Sequence, residues 1–180
     1  MTHNIKKTNL FNFLKSESVI EEINTNTISI REDKNTATLK KVIISNFNNT
    51  STYWIMNPET KTFLQPNSKK VDGIILEHTS DGNLNIVLIE LKSTSVTPSE
   101  IIEKFEKSLS WVYLLLNLLD GKEDQKIKVF GILVAQKNKN WNTKGNLQIF
   151  NSTSIRYIKR SFFTSLNEYS TTYNSLITPI

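Results

Sequence analysis

Cysteine is absent from all 180 residues, which excludes disulfides and thiolate metal sites and suits a reducing cytoplasm. Histidine occurs only as His3 and His78, so an imidazole-built zinc centre has no basis. Neither histidine lies near a nucleophile-elbow motif, which removes the Ser-His-Asp reading. The five glycines are scattered at 73, 82, 121, 131 and 145. None forms a Walker-type or dinucleotide-type loop, so phosphoryl transfer from ATP and hydride chemistry lack their usual signature. The longest apolar run, Trp111 to Leu116, is far short of the roughly 20 residues that span a bilayer. The polar stretch Met1 to Lys7 leads into Leu10-Phe11-Asn12-Phe13-Leu14, too short and interrupted for a secretory signal. No repeat and no Pro/Gly-rich linker interrupts the chain. The expectation is one soluble cytoplasmic domain over residues 1–180, without a membrane partner.

What is present points to an anionic partner. A hydrophobic content of 38% with 22% charged residues reads as globular. The net charge of +5 favours nucleic acid, although a basic surface also serves solubility alone.

The most informative stretch is 69–94, KKVDGIILEHTSDGNLNIVLIELKST. Asp72 opens one apolar strand, Gly73-Ile74-Ile75-Leu76. After a turn at Ser80-Asp81-Gly82-Asn83, a second strand runs through Ile86-Val87-Leu88-Ile89 into Glu90-Leu91-Lys92. A carboxylate in an apolar run is costly to bury without a partner, because its charge loses water. Side chains alternate along a strand, so Glu90 and Lys92 share a face with Ile86 and Leu88 while Leu91 points away. A hairpin would set Asp72 beside Glu90. Two adjacent carboxylates repel each other and favour a bound cation such as magnesium, which prefers oxygen ligands. The bland readings are an Asp72-Gly73 turn and a Glu90–Lys92 ion pair on an edge strand.

The surrounding pattern supplies an element order. Residues 9–24 read as a helix with Phe13, Ile20 and Ile23 on one side. Residues 37–47 read as a strand, with short extended pieces at 53–56 and 62–64. Strands are expected at 70–78 and 84–93. Thr97-Pro98-Ser99-Glu100 is a capping box that opens a helix. Ile101, Ile102, Phe105, Leu109, Val112, Leu116 and Leu119 keep its helical period until Asp120-Gly121 stops it. A buried strand at 127–135 follows, which implies a parallel crossover. Strands at 147–150 and 154–158 and a terminal helix complete the reading.

Val71-Asp72-Gly73 and Glu90-Leu91-Lys92, in this order of elements, resemble the PD-(D/E)XK nuclease superfamily over roughly residues 10–137. Val71 stands where a proline often precedes the aspartate. The resemblance implies an α/β fold with a restriction-endonuclease-like αβββαβ core, a mixed central sheet flanked by helices. It implies Mg²⁺- or Mn²⁺-dependent hydrolysis of phosphodiester bonds, in DNA first and RNA second. Asp72 and Glu90 would hold the metal, with the Leu91 carbonyl as a further ligand, and Lys92 would assist the attacking water or the transition state. The family often adds a glutamate from the first helix, here Glu21, then Glu17 or Glu22. Gln136 and Lys137, at the exit of the last core strand, would touch substrate. Many such domains act as homodimers, and the apolar 109–119 segment offers a surface for one.

Other residues are candidate nucleic-acid contacts on their own chemistry. Lys69 and Lys70 precede Asp72 and could meet phosphates or water. Trp141, among lysines and asparagines, could stack on an unpaired base or anchor its loop. Arg156 and Arg160, with Lys159, form a basic cluster suited to phosphates. Two rival functions stand beside the nuclease. One is a catalytically silent nuclease-like module that binds nucleic acid or protein within a mobile-element or defence system. The other is an unrelated α+β interaction protein.

Overall fold

The computed structural model describes residues 9–32, 36–56, 69–93, 97–120, 126–136 and 158–178. Helix α1 (Asn9–Ser16) is followed by β1 (Ile20–Glu22), β2 (Thr27–Arg31), β3 (Lys41–Ser45), β4 (Thr52–Met56), β5 (Gly73–His78) and β6 (Leu84–Lys92). Helix α2 (Pro98–Asp120), β7 (Ile127–Gln136), β8 (Ile158–Thr164), β9 (Glu168–Thr172) and α3 (Tyr173–Ile177) complete the order. The protein is α/β. A mixed sheet of six strands runs β1-β4-β5-β6-β7-β8, and a second sheet of three runs β2-β3-β9.

Strands β5, β6 and β7 are buried almost throughout, because the large sheet is covered on both faces. Alternate residues sort into two cores. Ile74, Leu76, Ile86, Leu88, Leu133 and Ala135 pack with Phe105, Leu109 and Val112 of α2. Ile75, Val87, Ile89, Leu91, Ile132 and Val134 pack with Ile30, Val42, Ile44 and Tyr173 of the small sheet and α3. Near-continuous apolar strands of this kind are what double coverage requires.

The β5–β6 hairpin is antiparallel, with Gly73 opposite Ile89. Gly82 at its turn has φ +82°, a conformation glycine adopts without steric cost. The crossover through α2 brings β7 parallel to β6, with Leu133 opposite Glu90 and Ala135 opposite Lys92. At the start of α2 the Glu100 side chain accepts from the Thr97 N–H at 3.3 Å, one arm of the expected capping box.

The expected first helix is corrected: it ends at Ser16, not near 24. The Val19 N–H donates to the Leu14 carbonyl at 2.9 Å and the Ser18 N–H to the Lys15 carbonyl at 3.1 Å. Ser18 adopts φ 55°, and Leu14 and Val19 are buried in one core. This is a Schellman stop closed by a hydrophobic contact. The serine in a left-handed conformation carries no glycine signal. The strand expected over 37–47 contracts to 41–45, and the expected terminal helix has five residues. Of the segment 154–158 only Ile158 is described, and it opens β8. The pieces 62–64 and 147–150 lie outside the described residues.

Candidate functional site

Asp72 stands one residue before β5, so the register that pairs Gly73 with Ile89 carries it opposite Glu90. Opposed residues on antiparallel strands have Cβ atoms about 5 Å apart. The Leu91 N–H donates to Asp72 Oδ2 at 2.6 Å, which fixes the carboxyl across the strand gap. Two contacts hold the approach to Asp72. The Val71 N–H donates to Ser108 Oγ of α2 at 3.0 Å. Gly73 is required by packing: a Cβ there would fall 2.6–2.9 Å from three side-chain atoms of Ile30.

Glu90 is fully buried. Its Oε1 is ion-paired with Lys92 Nζ at 2.5 Å and accepts from Lys104 Nζ of α2 at 2.6 Å. Among the described residues its Oε2 has no hydrogen-bond partner. A buried carboxylate oxygen left without a donor is costly, and an ion pair repays burial only when its remaining lone pairs are satisfied. Burial, then the Glu90 charge, pushes the Asp72 carboxyl up to about 8, against the smaller lowering by the Leu91 N–H and Lys104; Glu32 adds a further repulsion. For Lys104, burial disfavours the ammonium, but the Glu90 and Asp72 charges and the Glu90 hydrogen bond together raise its pKa.

The structure therefore brings Asp72, Glu90 and Lys92 together at one end of the large sheet, on the α2 face. It adds Lys104 and Ser108, which sequence reasoning missed. Their signal was legible: both are polar residues at positions of the α2 stripe that otherwise carries Ile101, Phe105 and Val112. Glu32, just beyond β2, had no such signal.

The donor set can be tested against a divalent cation. Among the described residues no group of three or more His, Cys, Asp or Glu is arranged to hold a metal, so an all-protein cage does not fit. Two neighbouring carboxyl groups, one with an orphaned oxygen, do fit magnesium, which commonly takes one or two carboxylates and completes its shell with water and phosphate oxygens.

The remaining candidates part from this site. Glu21 lies on the edge strand β1, exposed, and not on a helix. Its register runs through Ile55 and Ile75 to Val87, three strands from β6, on the order of 15 Å from Glu90 by strand spacing and rise. It shares the face of Ile55, which packs in the core opposite α2. Glu22 is also on β1, and Glu17 is exposed just past the end of α1. Lys70 is buried with its ammonium 5.4 Å from the Trp111 ring centroid, so it is a packing residue and not a surface phosphate contact. Trp111 is in the core, as its mid-helix position suggests. Lys69 is exposed and ion-paired with Glu103 at 3.3 Å. The Gln136 amide is turned away from Lys92, towards Thr38 and the Leu166 carbonyl. Arg160 donates to the Ser175 carbonyl at 2.6 Å and lies over Phe162, tying β8 to α3. Lys137, Trp141 and Arg156 lie outside the described residues.

Among the described residues no helix is long and apolar enough to cross a membrane. Comparison with protein-family models, with curated proteins and with solved structures gives no match.

Proposed function

We propose that this protein is a metal-dependent nuclease with a restriction-endonuclease-like core, hydrolysing phosphodiester bonds in DNA. One observation carries the reading: among the described residues the fully buried Glu90 keeps an oxygen without a partner, beside a second carboxyl group whose ionisation is held back. Such a pair is poorly satisfied by the protein alone and well suited to a cation. The order α1–β4–β5–β6–α2–β7, with β4 to β6 antiparallel and β7 parallel to β6, supports the αβββαβ core. The net charge of +5 supports a polyanionic substrate.

In this reading Asp72 and Glu90 would hold Mg²⁺ or Mn²⁺, with the Leu91 carbonyl as a backbone ligand. The ion would supply Lewis acidity and an activated water. Asp72 must release its proton to act as a ligand, and the Leu91 N–H keeps its carboxylate oriented. Lys92 orients the attacking water and offsets negative charge on the phosphate in the transition state. Ser108 fixes the chain entering the site.

A second reading, a catalytically silent module binding nucleic acid or protein, draws on the two lysines that already neutralise Glu90. The deciding experiment incubates supercoiled plasmid, single-stranded DNA and RNA with the protein in Mg²⁺, Mn²⁺ or EDTA. Metal-dependent cutting that Glu90→Ala abolishes supports the nuclease. Nucleic-acid binding without cutting in either metal supports the silent module.

A further inference from the structure

We infer that Lys104 is a displaceable counter-charge: it holds Glu90 in the metal-free protein and passes to a substrate phosphate when a divalent cation takes the carboxylate. The inference rests on the nuclease reading for the identity of that anion. Its basis is an imbalance. Among the described residues one carboxylate oxygen receives two ammonium groups, at 2.5 and 2.6 Å, while the other oxygen receives none. Two cations on one oxygen repel each other, and a single lysine would balance the charge of Glu90. A dication held by Asp72 and Glu90 would add a further repulsion beside these ammonium groups, which favours the release of one of them.

The two lysines differ in their freedom to do so. Lys92 lies two residues from Glu90 on the same strand, and its stem follows the buried sheet face. Lys104 reaches in from α2, across the layer boundary, and its side chain is the more exposed, 15% against 10%. Its flexible four-carbon stem can redirect three donors without disturbing the sheet. Freed from Glu90, the partly exposed ammonium stays beside the two carboxyl groups, within reach of a phosphate bound there.

The test uses the whole chain with Lys104→Met and Lys104→Arg. Mn²⁺ is titrated without nucleic acid and followed by electron paramagnetic resonance. Lys104→Met should bind Mn²⁺ about three- to tenfold tighter, because a competing positive charge is gone. Affinity for a hydrolysis-resistant phosphorothioate oligonucleotide is then read by fluorescence anisotropy over a range of salt. In Mn²⁺ the Met variant should bind several-fold more weakly, with a salt slope shallower by about 0.7–0.9, the loss of one phosphate contact. In EDTA it should match wild type, and Lys104→Arg should keep the wild-type slope throughout. Unchanged or weaker Mn²⁺ binding in Lys104→Met, or the same loss of DNA affinity with and without Mn²⁺, overturns the inference. If the Met variant does not fold, acetylation of wild-type lysines read by mass spectrometry decides. Lys104 should become more reactive with Mn²⁺ and protected again with oligonucleotide, and no change in its reactivity overturns the inference. The nuclease reading fails separately, if wild type cuts no nucleic acid although the metal-dependent shifts occur.

Discussion

Two glutamates are buried on opposite faces of the same sheet, and they are satisfied in opposite ways. Glu77 on β5 faces the small sheet. Its Oε1 accepts from the Tyr53 hydroxyl at 2.9 Å, and its Oε2 from the Asn85 amide at 2.6 Å and the Tyr173 hydroxyl at 3.0 Å. Three neutral donors cover both oxygens and knit β4, β5, β6 and α3 together. The phenols show the cost: burial raises the pKa of both, and the neighbouring Glu77 charge raises them further. Glu90 on β6 faces α2, with two ammonium groups crowded on one oxygen and, among the described residues, no donor at the other. Glu77 is a finished structural network, and such networks rigidify a core when every member is satisfied. Glu90 is unfinished among the described residues, and the proposed cation would supply what its second oxygen lacks.

The sharpest way to break this contrast is exchange of each carboxylate. Glu90→Gln should lower metal-dependent cleavage by at least about a thousandfold, since it removes an ion ligand worth several kcal/mol to the transition state. Quantified plasmid cutting at saturating Mn²⁺ checks it, and the variant should remain folded by circular dichroism. Glu77→Leu should do the reverse. It strips the acceptor from two phenols and an amide, each costing about 1–3 kcal/mol. A loss of about 3–5 kcal/mol in urea unfolding is expected, with cleavage per folded molecule retained.

Asp72 gives the next effect, in pH. Its carboxyl is raised from an ordinary value near 3.8 to about 8 in the folded protein. The native state therefore holds a proton that the unfolded chain has lost between these values. The stability this confers is complete below about pH 4 and is lost as pH rises to about 8. Asp72→Asn, neutral at every pH, lacks this slope. Metal-free wild type should thus fall behind the variant by a few kcal/mol across that window, with a constant gap above it. Urea unfolding of both proteins in EDTA from pH 4 to 9 measures the difference. Cleavage by Asp72→Asn should be lost. The smallest effect concerns packing: Gly73→Ala forces Ile30 from its place over the strand, at about 1–3 kcal/mol in thermal unfolding.

Much of this arrangement was legible because it is local. Alternation along 73–92 and the turn at Asp81-Gly82 define the hairpin, and the hairpin alone sets Asp72 against Glu90. The start of α2 follows from Thr97-Pro98-Ser99-Glu100 for the same reason. The misreadings have physical causes. Ile20 and Ile23 kept a helical spacing with Phe13, but the Ser18 turn ended α1 first, and Glu21 passed from the expected helix to an edge strand. Sheet β2-β3-β9 joins Lys41 to Glu168 in parallel register, a pairing too distant in sequence for any periodicity to report. Lys104 reached Glu90 through the rotation of α2 about its axis, although a lysine beside Ile101 and Phe105 on a buried stripe was its trace.

The most direct test of the central claim is a calorimetric titration of Mn²⁺ into wild type, Glu90→Gln and Glu77→Gln at pH 8. A single site per chain is expected in wild type and in Glu77→Gln, and no detectable site in Glu90→Gln. Equal binding by Glu90→Gln, or no binding by wild type, would contradict it.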